Sequence, residues 1–324
     1  MNETILLMGH GSRKTAGNEE ILRFAEAWRK RHPDWRIEVC FIEYADILLD
    51  AGLNNAAANS SRVIAVPLIL NAAGHVKMEI PEAVNAARAR HPGVEFICTP
   101  HLGMGREIYD ILHQRIDNLL RDLAMPDPRT TGIILLGRGS SDAGANGEIV
   151  KMARWIFEDR QHDLVDIAFT GITLPRLETV VQRQVKLGMT QIVIQPIYLF
   201  TGVLIERIGQ QVARLRQNYP HIAFALGGYF GFDEGIYAIA DARVHDHGKL
   251  VGMLECDGCK YRLAAAHDHH HDHHHNGHGK DATPENEICH ARFPHPNPLP
   301  VGEGANESLR EFNVNHAHDH AHSN

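Results

Sequence analysis

Apolar and polar positions follow two alternating patterns up to about residue 247. Short β-branched runs, apolar at consecutive positions, are followed by longer stretches with apolar residues every three or four positions. The first pattern marks strands buried on both faces and the second marks amphipathic helices. In the first half, strands are predicted over Thr4–Met8, Ile37–Phe41, Val63–Leu70 and Glu95–Cys98, and helices over Gly17–Arg31, Ile47–Ala58, Met78–Arg90 and Gly105–Leu123. In the second half, strands are predicted over Gly132–Leu136, Asp166–Thr170, Gln191–Leu199 and Ala223–Leu226. Strands alternating with helices predict an α/β protein with parallel sheets covered by helices.

The pattern is written twice. TILLMGHGSRKTAG (Thr4–Gly17) returns as TGIILLGRGSSDAG (Thr131–Gly144), and VIAVPLIL (Val63–Leu70) returns as IVIQPIYL (Ile192–Leu199). His91-Pro92 is echoed by Tyr219-Pro220, and Gly103 by Gly231. A repeat of this length predicts two similar doubly wound parallel-sheet lobes related by a pseudo-two-fold axis. The expected division is a first lobe over 1–126, a second over 127–247 and a tail over 248–324. Ligands of such folds sit at the carboxyl ends of strands, and there the copies differ. His10 in the first copy is Arg138 in the second, and His75 of NAAGHVKMEIP faces Val203 or Leu204 of FTGVLIERI.

Composition narrows the function. A hydrophobic content of 44% supplies two cores, and a net charge of -8 argues against a broad nucleic-acid surface. No apolar stretch approaches the ~20 residues of a membrane span. The amino terminus enters a strand without a basic and then apolar leader, so a cytoplasmic enzyme is expected. Gly9-His10-Gly11-Ser12 lacks the third glycine of a dinucleotide fingerprint and the Gly-Lys-Ser/Thr of a phosphate loop, so no nucleotide is expected.

The tail has a chemistry of its own. It opens with Cys256 and Cys259 in ECDGC, and Cys289 lies further on, fewer than the four ligands of a closed zinc or iron–sulfur site. Both groups stay open for this pair. Of the 24 histidines, 14 follow Lys249, among them His269, His270, His271, His273, His274 and His275 of one tract. Such a polar, aperiodic stretch is expected to be disordered without metal and to buffer cobalt, nickel, copper or zinc. PHPNPLPVGEG (Pro294–Gly304) resembles a translated intergenic repeat and is assigned no function. Cys40 and Cys98 fall on strands and are expected to be inert core residues.

His10 lies between two glycines that permit close approach of a ligand, with Ser12 and a helix start beside it to meet an anion. His75 precedes Glu79 by four residues, which puts the two on one side of a helical turn. If neighbouring strand ends bring His10 and His75 together, two imidazoles and an acid make an open coordination sphere. Such a sphere suits a metal that is handed on.

MGHGSRKTAGNEE, FIEYAD, PLILNAAGHVKMEIP and CDGCKYR together resemble the CbiX-type sirohydrochlorin cobaltochelatases in their long, two-repeat form with a histidine-rich tail. The resemblance runs from Met1 to about Leu263. It implies a class II chelatase that inserts Co(II), its substrate metal, into sirohydrochlorin without ATP or an organic cofactor, on the early cobalt branch of cobalamin biosynthesis. It further implies a monomeric fused dimer, with a degenerate second lobe and one surviving site. The family's site histidines map onto His10 and His75 as metal ligands and proton acceptors, assisted by Glu43 at the metal and Glu79 as a relay. The carboxylates of the macrocycle would fall to Ser12, Arg13 and Lys77, and across the repeat to Arg138, Ser140 and Ser141. Two other functions stay open: a ferrochelatase acting on the same macrocycle, and a non-enzymatic cobalt or nickel store.

Overall fold

A computed structural model describes residues 2–246. Cys256, Cys259, Cys289, the histidine tracts and PHPNPLPVGEG lie outside the described residues. The first repeat contains β1 (Glu3–Gly9), α1 (Thr15–Arg31), β2 (Arg36–Phe41), α2 (Leu49–Ala57) and β3 (Arg62–Pro67). A π-helical turn (His75–Glu79) then runs directly into α3 (Ile80–Arg90), followed by β4 (Glu95–Cys98) and α4 (Arg106–Arg121). The second repeat contains β5 (Thr131–Gly137), α5 (Ala143–Asp159), β6 (Val165–Phe169), α6 (Leu177–Lys186), β7 (Gln191–Pro196), α7 (Val203–Asn218), β8 (Ala223–Leu226) and α8 (Glu234–His245).

The strands form two four-stranded sheets, ordered β2-β1-β3-β4 and β6-β5-β7-β8, with parallel pairing throughout. The α/β class with two similar parallel-sheet repeats is therefore the observed fold. β3 and β7 end at Pro67 and Pro196, short of the predicted Leu70 and Leu199. The apolar run continues past each proline because Leu68, Leu70 and Leu199 turn into the core as loop residues.

Helices α2 and α3 cover the outer face of the first sheet, where Leu53, Val84 and Ile80 pack on Leu6 and Met8. Helices α6 and α7 cover the outer face of the second, through Val180, Val181 and Val212. Between the sheets, α1, α4, α5 and α8 share one continuous core. Helix α4, written in the first repeat, packs against β7 and β8 of the second, and α8, written in the second, packs against β3 of the first. The repeats therefore exchange their last helices.

Side chains on α1 explain the docking of α8. Ile21, Phe24, Ala25 and Trp28 recur at helical spacing and are buried. Phe24 stacks on Tyr237 of α8 with centroids 4.3 Å apart. The Trp28 indole N–H donates to Asp241 at 2.7 Å, and Arg31 forks onto both oxygens of Glu234. Buried Glu20 accepts from the Thr201 amide and the Tyr229 hydroxyl, which fastens α1 to loops of the second repeat. No described helix is long and apolar enough to cross a membrane.

Candidate active site

In the first sheet the strand order reverses between β1 and β3, since β2 lies to one side and β4 to the other. Ligands of open α/β sheets bind at the carboxyl ends of strands at such a reversal. β1 delivers His10 there, and the chain leaving β3 delivers His75.

The backbone beside His10 is tightly specified. Gly11 has φ 89°, and a Cβ on it would stand 1.7 Å from the Glu43 carbonyl oxygen. Only glycine permits that approach. The Glu43 amide donates to the His10 carbonyl at 3.1 Å. Asn18 joins the two loops: its side-chain oxygen accepts from the Ser12 amide at 2.8 Å, and its amide group donates to the Tyr44 carbonyl at 2.7 Å. Tyr44 itself holds φ 52°, unusual for a side chain of its size. These constraints leave the Glu43 carboxylate 3.5 Å from Nδ1 of His10.

His75 opens the π-helical turn and is not part of the preceding glycine loop. Its Nδ1 lies 2.8 Å from Glu79, four residues on. The two imidazole rings stand edge to face, with centroids 4.8 Å apart and planes at 86°. One ligand atom from each of His10, Glu43 and His75 lies within 4.8 Å of the other two, and no other group of this kind occurs among the described residues. Cis donors about 2.1 Å from one ion stand about 3 Å apart, so small side-chain rotations suffice to seat a metal. All three side chains are roughly one-third exposed, which leaves the outer positions of such an ion open.

Burial is the main cause that pulls the His10 pKa below its ordinary 6.5. The Gly11 carbonyl and Glu43 oppose the shift, while His75 and Arg138 reinforce it. His10 is therefore a neutral imidazole near pH 7 and offers a lone pair.

The remaining expected residues divide into those that reach the site and those already committed. Arg138 crosses from the second repeat and puts Nη1 3.3 Å from Nε2 of His10. Glu79 touches His75 and stands behind it. Lys77 is paired with Asp142, whose other oxygen caps α5 through the amides of Gly144 and Ala145. Arg13 is exposed and bonded to the Tyr44 hydroxyl. The hydroxyls of Ser12 and Ser140 accept from the amides of Lys14 and Asp142, so both brace their own loops.

Asn146 repeats in the second copy the contact of Asn18 with Ser12. The second copy keeps the loop but not the donors: Gly171 takes the place of Glu43, with its amide on the Arg138 carbonyl at 3.0 Å. Sequence reading passed over Asn18, Asn146, the Lys14–Glu206 ion pair and the Asp142 cap. The asparagines left a signal, since both occupy the same place in the two copies.

Comparison with known proteins places these observations. The CbiX family matches residues 4–119 and again 132–247. A sirohydrochlorin cobaltochelatase of Priestia megaterium is 34% identical over 275 residues, 83% of this chain and 88% of the relative. A sirohydrochlorin ferrochelatase of the same organism is 27% identical over 243 residues, 75% of this chain and 89% of the relative. Among solved structures, SirB from Bacillus subtilis with Fe3+ superposes with a TM-score of 0.65 at 25% identity, over 77% of this chain and 97% of that one. SirB from Bacillus subtilis subspecies spizizenii in complex with cobalt shares the fold, with a TM-score of 0.63 at 23% identity over 78% and 97%. Matched in both of its repeats, and with a group of metal donors in only the first among the described residues, the chain belongs to the CbiX family.

Proposed function

We propose that this protein inserts Co(II) into sirohydrochlorin, without ATP, at His10, Glu43 and His75. The observation that carries the reading is the convergence of two imidazoles and one carboxylate at the strand reversal of the first repeat, in a chain 34% identical to a cobaltochelatase. Metal insertion requires the macrocycle to lose two pyrrole protons, so a base must stand where the metal is released. A neutral imidazole has one lone pair and serves as ligand or base in turn. His10 and His75 hold the ion first and accept protons as it leaves. Glu43 balances the ionic charge, and Glu79 draws the proton on through His75.

Arg138 is the first proposed partner of the macrocycle carboxylates; Lys77 and Arg13 would join it on leaving Asp142 and the Tyr44 hydroxyl, and the Ser12 and Ser140 hydroxyls, which accept from loop amides, keep an O–H to donate. The protein would work as a monomer in the cytoplasm, with the histidine-rich tail as a store of metal and the ECDGC pair as a zinc or iron–sulfur site. Imidazole and carboxylate donors do not by themselves separate Co(II) from Fe(II). The two Priestia relatives, at 34% and 27% identity, favour cobalt.

The test is an anaerobic spectrophotometric assay of sirohydrochlorin with Co(II), Fe(II) or Ni(II), each in excess over the histidines of the tail. Protein-dependent cobalt insertion, faster than iron and lost in His10→Ala, is expected. Insertion no faster than in the protein-free control would remove the chelatase reading and leave metal storage in its place.

A further inference from the structure

We infer that Arg138 competes with the incoming metal for His10 and thereby keeps the hold of the site on cobalt weak; this rests on the metal site proposed above. Arg138 stands in the second repeat where His10 stands in the first, and the two equivalent side chains meet, Nη1 to Nε2, at 3.3 Å. A guanidinium only donates, so this contact uses the lone pair on Nε2. The proton of the neutral ring then lies on Nδ1, facing the Gly11 carbonyl at 3.1 Å.

A neutral imidazole has no second lone pair. If the metal binds Nε2, the guanidinium must leave directly. If it binds Nδ1, the ring proton moves to Nε2 and meets the donor head-on. Either way, the metal and the Arg138 contact exclude each other.

Charge acts in the same direction. A divalent ion on His10, Glu43 and His75, with Glu43 at the ion and Glu79 behind His75, carries two nearby negative charges; Arg138 offsets one of them and leaves the loaded site with an excess positive charge. The macrocycle that has shed two protons is a dianion in its core and is favoured by the same arginine. Arg138 thus raises the free energy of metal on the protein and lowers that of the acceptor. Binding energy withheld from the loaded site is not subtracted from the rate of transfer.

The variant that tests this is Arg138→Met, close in volume and without charge or donor; Arg138 is exposed, so the substitution leaves the core untouched. Arg138→Lys keeps the charge. Equilibrium dialysis of Co(II) against the full chain, scored as the binding that His10→Ala removes, is expected to tighten by at least about tenfold in Arg138→Met and to stay near the parent in Arg138→Lys. In turnover, the cobalt KM of Arg138→Met should fall together with kcat, the signature of a ground state bound too well. Unchanged cobalt affinity, with only the sirohydrochlorin KM raised, would overturn the inference and leave Arg138 as a carboxylate partner. A parent protein that binds cobalt at His10 but gives no turnover would fail the chelatase reading, while the dialysis would still decide the role of Arg138.

Discussion

Single side chains set the donor geometry, and their tolerance differs according to what surrounds them. Gly11→Ala would have to move the Glu43 carbonyl, so a loss of more than ~1 kcal/mol and of most insertion activity is expected. Gly74, beside His75, has open space around it, so Gly74→Ala should melt at or above the parent temperature. His75→Ala should melt like the parent yet abolish insertion, because the side chain is partly exposed and no core depends on it. Turnover that survives in a folded His75→Ala would remove that residue from the mechanism.

Away from the site, a second residue contributes to the response of stability to acid. His162 is buried, its Nδ1 has no hydrogen-bond partner, and burial, followed by Arg160, lowers its pKa from 6.5. Below 6.5 the unfolded chain binds a proton that the folded chain refuses, so stability falls as pH drops from 6.5 towards the lowered value. Urea midpoints between pH 7 and pH 5 should decline, and His162→Gln should flatten that part of the decline.

At the scale of elements, periodicity identified the strands and helices because parallel strands buried on both faces and helices buried on one leave distinct apolar patterns. It could not end β3 at Pro67, since Leu68 and Leu70 are apolar for burial and not for pairing. It could not show the π-helical turn either, because His75 and Glu79 face each other under both α and π winding. His10 and His75 were each legible in a loop after a predicted strand, but their meeting was conditional on a strand order that periodicity does not give; β1 and β3 are neighbours in the sheet. Glu43 was not readable from spacing: it sits beyond β2, and what brings it to His10 is the close contact of two loops at Gly11. The destination of α4 was hidden too, because an apolar face records that a helix is covered but not by which sheet. The docking of α8 can be tested at Tyr237, which lies between Phe24 and the Arg31 guanidinium. Tyr237→Ala should cost about 3 kcal/mol in urea unfolding.

For the whole molecule, exchange of the terminal helices joins two sheets into one cooperative body. Trp28 and Trp35 report on the docking of α8 onto the first repeat and Trp155 on the docking of α4 onto the second, so fluorescence from single-tryptophan variants should give coincident melting curves. Two separated transitions would mean that the shared core is weaker than the sheets it joins. Truncation after Leu263 should leave insertion intact at saturating cobalt and slow it when cobalt is scarce; equal cobalt dependence of the two forms would dismiss the tail as a metal store.

The helix that completes the first sheet also sets a clock. β3 ends at Pro67, but the α8 that covers it is not finished until His245. A growing chain therefore carries the first sheet, complete at Cys98, without that cover until the whole second repeat has been made, with loop closure over that separation among the last events. A ribosome that stalls in the second repeat releases a first repeat bearing a complete set of metal donors and an exposed apolar face, a product for chaperones and proteases and not for catalysis.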